Sequence, residues 1–250
     1  MILKDRVAIV TGAGKGLGRA FSIKLAEEGA KVLAVTRSDI DGLKETVRII
    51  KENGGDAEWL KVDVTNHEDV DTMAKKAVST FGGIDILVNN AAYYYGVKRR
   101  PFYEIEPQEW DRMMAVNVKG AWMCIKAVFP SMKERGKGKI VNLSSETFFT
   151  GSHGFVHYVS SKGAIVGLTR ALAIELGPYN ICINAVAPGF TDTEASASIA
   201  DISKYDVSRT PLKRLEKPED LTGVMAFLCS DASDFITGQT ILVDGGRAKH

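Results

Sequence analysis

The sequence predicts a doubly wound α/β fold, a parallel sheet of about seven strands with helices on both faces. Three observations predict it. Short β-branched runs alternate with longer segments of helical period along the whole chain. The first strand-like run, Arg6–Val10, is apolar and β-branched, as a strand buried on both faces is. A glycine-rich turn joins the first strand to the first helix.

The elements follow in order. Arg6–Val10 is the first strand, stopped by Thr11-Gly12. Residues 16–28 have helical spacing, with Leu17, Ala20, Phe21, Leu25 and Ala26 on one face and Gly29 to close it. Lys31–Val35 is the second strand. A helix over residues 40–52 is stopped by Asn53-Gly54-Gly55. Residues 57–62 read as strand, 67–81 as helix and 85–88 as strand. Residues 107–134 read as one long helix. Residues 139–143 form the fifth strand, and Tyr158 opens a helix that runs to Leu176 before Gly177-Pro178. A strand over 181–186, a helix over 218–230 and a strand over 240–243 complete the chain. No linker composition and no internal repeat appears, so residues 1–250 read as a single domain. Residues 189–217 are rich in Thr, Ser, Asp and Ala with little apolar period, and read as a lid over a site.

The totals exclude several function classes. The chain has 250 residues, 45% hydrophobic and 25% charged, an ordinary globular composition. A formal net charge of +1 without a basic block offers no general attraction for nucleic acid or anionic membrane. No apolar run approaches a membrane span. Cys124, Cys182 and Cys229 are far apart, which argues for a reducing, cytoplasmic setting and against zinc or a disulfide framework. His153 and His157 are the one close pair among His67, His153, His157 and His250, and no cysteine or carboxylate stands beside them, so no metal is expected. The sequon at Asn142 falls in a buried strand and reads as chance.

The first turn reads Thr11-Gly-Ala-Gly-Lys-Gly-Leu-Gly18. It matches neither G-x-G-x-x-G nor the P-loop. Its physics is the same: glycines admit a pyrophosphate to the backbone, and the following helix presents free N–H groups and its positive end. Gly12, Lys15, Gly16, Leu17 and Gly18 are the candidates there.

A second constellation combines Ser145, at the end of the fifth strand, with Tyr158 and Lys162. Tyr-x-x-x-Lys alone is a poor motif, and Tyr94 with Lys98 also matches it, across Gly96 in a loop. Tyr158 and Lys162 instead sit at i and i+4 on a helix, where side chains are neighbours. A phenol titrates near pH 10, and an adjacent ammonium favours its ionised form. Tyr158 can then exchange a proton with an alcohol or ketone while Ser145 holds the substrate oxygen.

These motifs together resemble the short-chain dehydrogenase/reductase family, nearly end to end. The resemblance rests on Thr11-Gly12, Gly16 and Gly18; on Asp63; on Asn89-Asn90-Ala91; on Asn117; on Ser145; on Tyr158 and Lys162; and on Pro188-Gly189. Ala92 departs from it, where the family usually carries glycine. The resemblance implies a Rossmann-type domain binding a nicotinamide cofactor. It implies that Asp63 and Val64 line the adenine pocket, that Asn89 and Ala91 face the cofactor, and that Lys162 binds the nicotinamide ribose. Pro188, Gly189, Thr191 and Thr193 are implied at the carboxamide, and Asn117 is implied to hold a water linking Lys162 to solvent. Homotetramers are common in the family.

The end of the second strand discriminates between cofactors. An acid there would accept the ribose hydroxyls of NAD. Thr36, Arg37 and Ser38 stand there instead, and Arg37 with Lys15 suits a 2′-phosphate, so NADP(H) is expected over NAD(H). Substrate candidates are Tyr93, Tyr95, Thr147, His153, Phe155 and Phe190, with Tyr94 beside them. They suggest an apolar or aryl ketone or secondary alcohol as the small-molecule substrate. A 3-oxoacyl-carrier-protein or a sugar or polyol substrate is the alternative, because one catalytic set serves all three. A non-catalytic NADP(H)-binding redox sensor is the reading from another class. The presence of Asn117, Ser145, Tyr158 and Lys162 together speaks for an enzyme.

Overall fold

The computed structural model describes residues 1–249; His250 lies outside the described residues. Seven parallel strands, β1 (Val7–Thr11), β2 (Lys31–Thr36), β3 (Ala57–Lys61), β4 (Ile86–Asn89), β5 (Gly138–Leu143), β6 (Ile181–Pro188) and β7 (Thr240–Val243), form one sheet. Their spatial order is β3-β2-β1-β4-β5-β6-β7. The order reverses between β1 and β4, where Val10 pairs with Ala34 on one side and Val88 on the other. In a sheet of this kind the crevice outside the carboxyl ends at that reversal is where ligands bind.

Alternation of side chains along the strands builds two cores. Ala8 and Val10 of β1 face α1 (Gly16–Glu27), α2 (Ile40–Glu52) and α9 (Pro218–Cys229), packing with Phe21, Leu25, Leu43 and Met225. Val7 and Ile9 face α3 (His67–Phe81) and α5 (Ala121–Glu134), packing with Met73, Cys124 and Val128. Both faces are covered, which is why a central strand such as β1 is buried along its whole length, whereas the edge strand β3 has exposed residues.

The expected long helix over 107–134 is not continuous. It is α4 (Pro107–Met114), a π turn over Ala115–Gly120, then α5. Two contacts fix the turn. Asn117 is buried among polar partners, and Gly120 packs so closely that a Cβ there would meet Val64 at 2.8 Å. Such turns cluster at functional sites. A short helix, α6 (Thr147–Thr150), follows β5, and the sequence shows no period there because it is a single turn. Tyr158 is the third residue of α7 (Val156–Leu176), in its first turn, and the helix begins two residues earlier than expected. Residues 189–217 hold a further one-turn helix, α8 (Glu194–Ala197), and the base of this segment is closed by a parallel bridge between Thr191 and Glu216. Among the described residues no helix is long and apolar enough to cross a membrane.

Candidate active site

A cleft of about 820 Å³ runs along the carboxyl ends of the strands. At its floor Gly12 adopts φ +67°, which an L side chain resists, and a Cβ on Gly18 would sit 2.1 Å from the Gly12 carbonyl oxygen. The turn is therefore drawn tight against the first residues of α1, whose first turn holds no acid. Thr11 joins this turn to β4. Its Oγ1 accepts from the N–H groups of Asn90 and Ala91, both at 3.0 Å. Asn90 returns a bond from Nδ2 to the Thr11 carbonyl at 2.9 Å.

At one end of the cleft, past β2, stand Thr36, Arg37 and Ser38 with Lys15. Each cation has a carboxylate neighbour: Arg37 lies 3.8 Å from Asp63, and Lys15 lies 3.9 Å from Asp39 and 4.3 Å from the centre of the Tyr95 ring. Pairs this exposed are weak and leave the cations available to another anion. A tight glycine turn at a helix N-terminus, with cations beyond it, fits the pyrophosphate and adenosine half of a dinucleotide.

The other end holds the chemical groups. Lys162 Nζ donates to the Leu143 carbonyl at 2.7 Å, and burial pushes its pKa down to about 8. Nζ lies 5.5 Å from the centre of the Tyr158 ring. Ser145 accepts from the Thr147 N–H at 3.2 Å and the Thr147 hydroxyl at 3.0 Å. Ser144 is turned elsewhere, donating to the Lys162 carbonyl at 2.9 Å. The phenol of Tyr158 is pushed above its ordinary range by burial, with Tyr94 and Glu146 adding to the rise, while a hydrogen bond with Ser145 opposes it. The lowering expected from Lys162 does not prevail: desolvation of the buried ring is the largest cause, and the phenol is raised.

Asn117 sits behind this wall. Its Oδ1 accepts from the Tyr93 N–H at 2.7 Å, and its Nδ2 donates to Ser161 Oγ at 3.0 Å and contacts Met113 Sδ at 3.0 Å. The carboxamide thus ties the loop after β4 to α7.

The expected cofactor residues Gly12, Lys15, Gly16, Leu17, Gly18, Thr36, Arg37, Ser38, Asp63, Val64, Ala91, Tyr158, Lys162, Pro188, Gly189, Thr191 and Thr193 all line the cleft, as does Ala92. Asn89 does not. It is buried in the sheet and donates to Asn142 Oδ1 at 2.9 Å, and its neighbour Asn90 takes the cleft wall. The cause is strand alternation: of two adjacent residues only one faces the crevice. Of the substrate candidates, Tyr93, Tyr95, Thr147, Phe155 and Phe190 line the cleft, and His153 does not. His153 is exposed, and it is its backbone carbonyl that accepts from Arg99, at 2.9 Å.

Tyr94, expected beside the substrate candidates, and Tyr205, at the end of the aromatic stretch of the lid, both line the cleft. Tyr94 packs on Tyr158 with ring centres 5.0 Å apart, and burial pushes its phenol up to about 12. Tyr205 stacks on Phe190 at 4.3 Å. Glu146, Arg209 and Arg247, which the sequence did not single out, also line the cleft, with Arg99. The position of Glu146 beside Ser145 was a usable signal. Nothing local in the sequence marks Arg247.

A family model described as enoyl-(acyl carrier protein) reductase matches residues 12–248. The 3-oxoacyl-[acyl-carrier-protein] reductase of Staphylococcus epidermidis is 37% identical over 243 residues, covering 97% of this chain and 98% of that protein. Among solved structures, 7α-hydroxysteroid dehydrogenase complexed with NADH and 7-oxo glycochenodeoxycholic acid superposes with a TM-score of 0.93 at 33% identity, covering 99% of this chain and 96% of that one. A protein of Beutenbergia cavernae assigned as an NAD(P)-dependent gluconate 5-dehydrogenase, with bound NADP, superposes with a TM-score of 0.90 at 38% identity, covering 98% and 97%. With its parallel sheet, phosphate turn and catalytic cleft, this chain belongs to the short-chain dehydrogenase/reductase family, as an oxidoreductase that moves hydride between NAD(P)(H) and a substrate.

Proposed function

We propose that this protein interconverts a hydroxylated ketone and its secondary alcohol with NADP(H), on a substrate of the sugar or polyol class. The observation that carries the substrate class is the character of the cleft beside Ser145. It holds a buried carboxylate, Glu146, and the guanidinium groups of Arg99, Arg209 and Arg247. An aryl ketone, expected from the tyrosines and phenylalanines, would bring no donor to the buried Glu146 carboxylate, which is costly. The acyl chain of a 3-oxoacyl thioester would do the same. The gluconate dehydrogenase likeness points the same way. For NADP(H) the support is Arg37 and Lys15 at the far end, with no acid among Thr36, Arg37 and Ser38.

The roles follow from position. Bound NADP(H) supplies or takes up the hydride. Ser145 holds the substrate oxygen while charge develops on it. Tyr158 gives that oxygen its proton in reduction and removes it in oxidation. Lys162, held at the end of β5, hydrogen-bonds the nicotinamide ribose and favours the phenolate. Asn117 holds the relay water through the frame it builds between α7 and the loop after β4. Residues 189–217 close over the substrate as a lid. A homotetramer in the cytoplasm completes the reading, with light scattering as its check.

A panel of sugar-derived ketones, 3-oxoacyl thioesters and aryl ketones, each with NADPH and NADH, tests this. The hydroxylated ketones are expected to give the highest kcat/KM, with NADPH. Turnover confined to aryl ketones or thioesters would sink the substrate reading. No turnover on any member, with tight NADPH binding, would favour a redox sensor.

A further inference from the structure

We propose that Glu146 and Arg247 form a hydroxyl-binding subsite, and that the substrate carries a free hydroxyl on the carbon adjoining the one that is reduced. This rests on the hydroxylated-ketone reading above and names the residues that would enforce it.

Glu146 is only 6% exposed, and among the described residues its Oε2 is buried without a hydrogen-bond partner, while the side chain lines the cleft. Its closest cation is Arg247, with Nε 3.7 Å from Oε2, beyond hydrogen-bond reach. Burial, with Asp244 nearby, raises its pKa against the opposing pull of Arg247. Among the described residues this side chain has that one loose ion pair. A buried carboxylate without donors is destabilising, and such conflicts persist where a ligand resolves them. Its charge acts on Tyr94, Tyr158 and Tyr205, so it faces the reacting end of the cleft.

The pair also defines what fits between its members. A carboxylate only accepts and a guanidinium only donates, whereas a hydroxyl does both. An ammonium would meet Arg99, Arg209 and Arg247, all at the same end. An anion would meet Glu146 itself. A hydroxyl that donates to Glu146 and accepts from Arg247 satisfies both groups and brings no charge. It is not consumed: the carbonyl carbon gains the hydride, its oxygen gains a proton from Tyr158, and the adjoining hydroxyl only orients the molecule.

The experiment compares isosteric pairs with NADPH: hydroxyacetone against butanone, and 2-hydroxycyclohexanone against 2-methylcyclohexanone. The readout is the ratio of kcat/KM within each pair. The wild type is expected to favour the hydroxylated member by about ten-fold to a hundred-fold, the worth of a hydrogen bond to a charged group. Glu146→Leu is expected to bring the ratio close to unity. Glu146→Gln keeps the shape and one acceptor, is expected to give an intermediate ratio, and decides the matter if the Leu variant does not fold. A wild-type preference that survives both substitutions overturns the subsite and leaves the proposed function standing. A wild type that reduces ketones without favouring the hydroxylated members overturns both.

Discussion

Lys162 donates from Nζ to the main-chain carbonyl of Leu143 at 2.7 Å, so the last residue of β5 holds the lysine on α7 that follows it. The bond anchors Lys162 at a carbonyl two residues upstream of Ser145, and the burial that comes with it lowers the lysine pKa to about 8 from 10.5. Between those values the unfolded chain binds more protons than the folded one. This group's contribution to stability therefore rises with pH from about 8 to 10.5. Lys162→Met removes the effect. The gap in urea-unfolding free energy between wild type and variant is expected to move in favour of wild type by roughly 2 kcal/mol from pH 8 to pH 10. A constant gap would show that the lysine is not desolvated.

Ser144 and Ser145 separate by direction. Ser144→Ala loses the bond to the Lys162 carbonyl and is expected to lower stability by about 1 kcal/mol while costing less than about ten-fold in kcat. Ser145→Ala removes the hydroxyl in the cleft and is expected to lower kcat by roughly 10²- to 10³-fold. Steady-state kinetics and thermal melting of the two variants check this, and the reverse order would overturn the assignment.

Arg37 is half exposed at the far end of the cleft, 3.8 Å from Asp63. Arg37→Ala is expected to lower the ratio of kcat/KM for NADPH over NADH by about ten-fold to a hundred-fold, the worth of a charge-assisted contact. Efficiency with NADH should hold. Equal losses with both cofactors would mean that Arg37 serves only its pairing with Asp63.

Glu216 lies at the base of the segment over the cleft, with the Thr191 hydroxyl donating to it at 2.6 Å. Burial raises its pKa to about 7 from 4.5. Here the folded chain binds more protons between those values, so the group's contribution to stability falls as pH rises through 7. Glu216→Gln abolishes the titration. Chemical unfolding at pH 5 and pH 8 should show wild type losing ground to the variant by on the order of 2 kcal/mol at the higher pH.

Much of this molecule could be read before its structure. Strand runs such as Val7–Thr11 announce themselves because both faces are buried, and the turn at Gly12 to Gly18 because close approach demands glycine. The reading failed where tertiary packing decides. Asn89 and Asn90 are equivalent in sequence, and only strand direction sends one into the sheet and the other to the cleft. The phenol of Tyr158 was judged from its lysine, whereas the burial that raises it comes from Tyr94 and Phe155, which reach it from two loops. Arg247 meets Glu146 from a hundred residues along the chain, which no local pattern discloses.

The π turn at Ala115–Gly120 amounts to an α-helix carrying one surplus residue. Each residue turns an α-helix by about 100°. Upstream of the turn Met113 packs with Phe155 and Tyr158; downstream Cys124 and Val128 pack under the sheet. Deleting a single residue within the turn would heal the helix and leave both flanks in phase, and the expected loss is local: the placing of Asn117 between the Tyr93 N–H and Ser161. The surplus residue is thus a local offset: the flanks serve the aromatic wall and the core, and the turn alone presents the carboxamide.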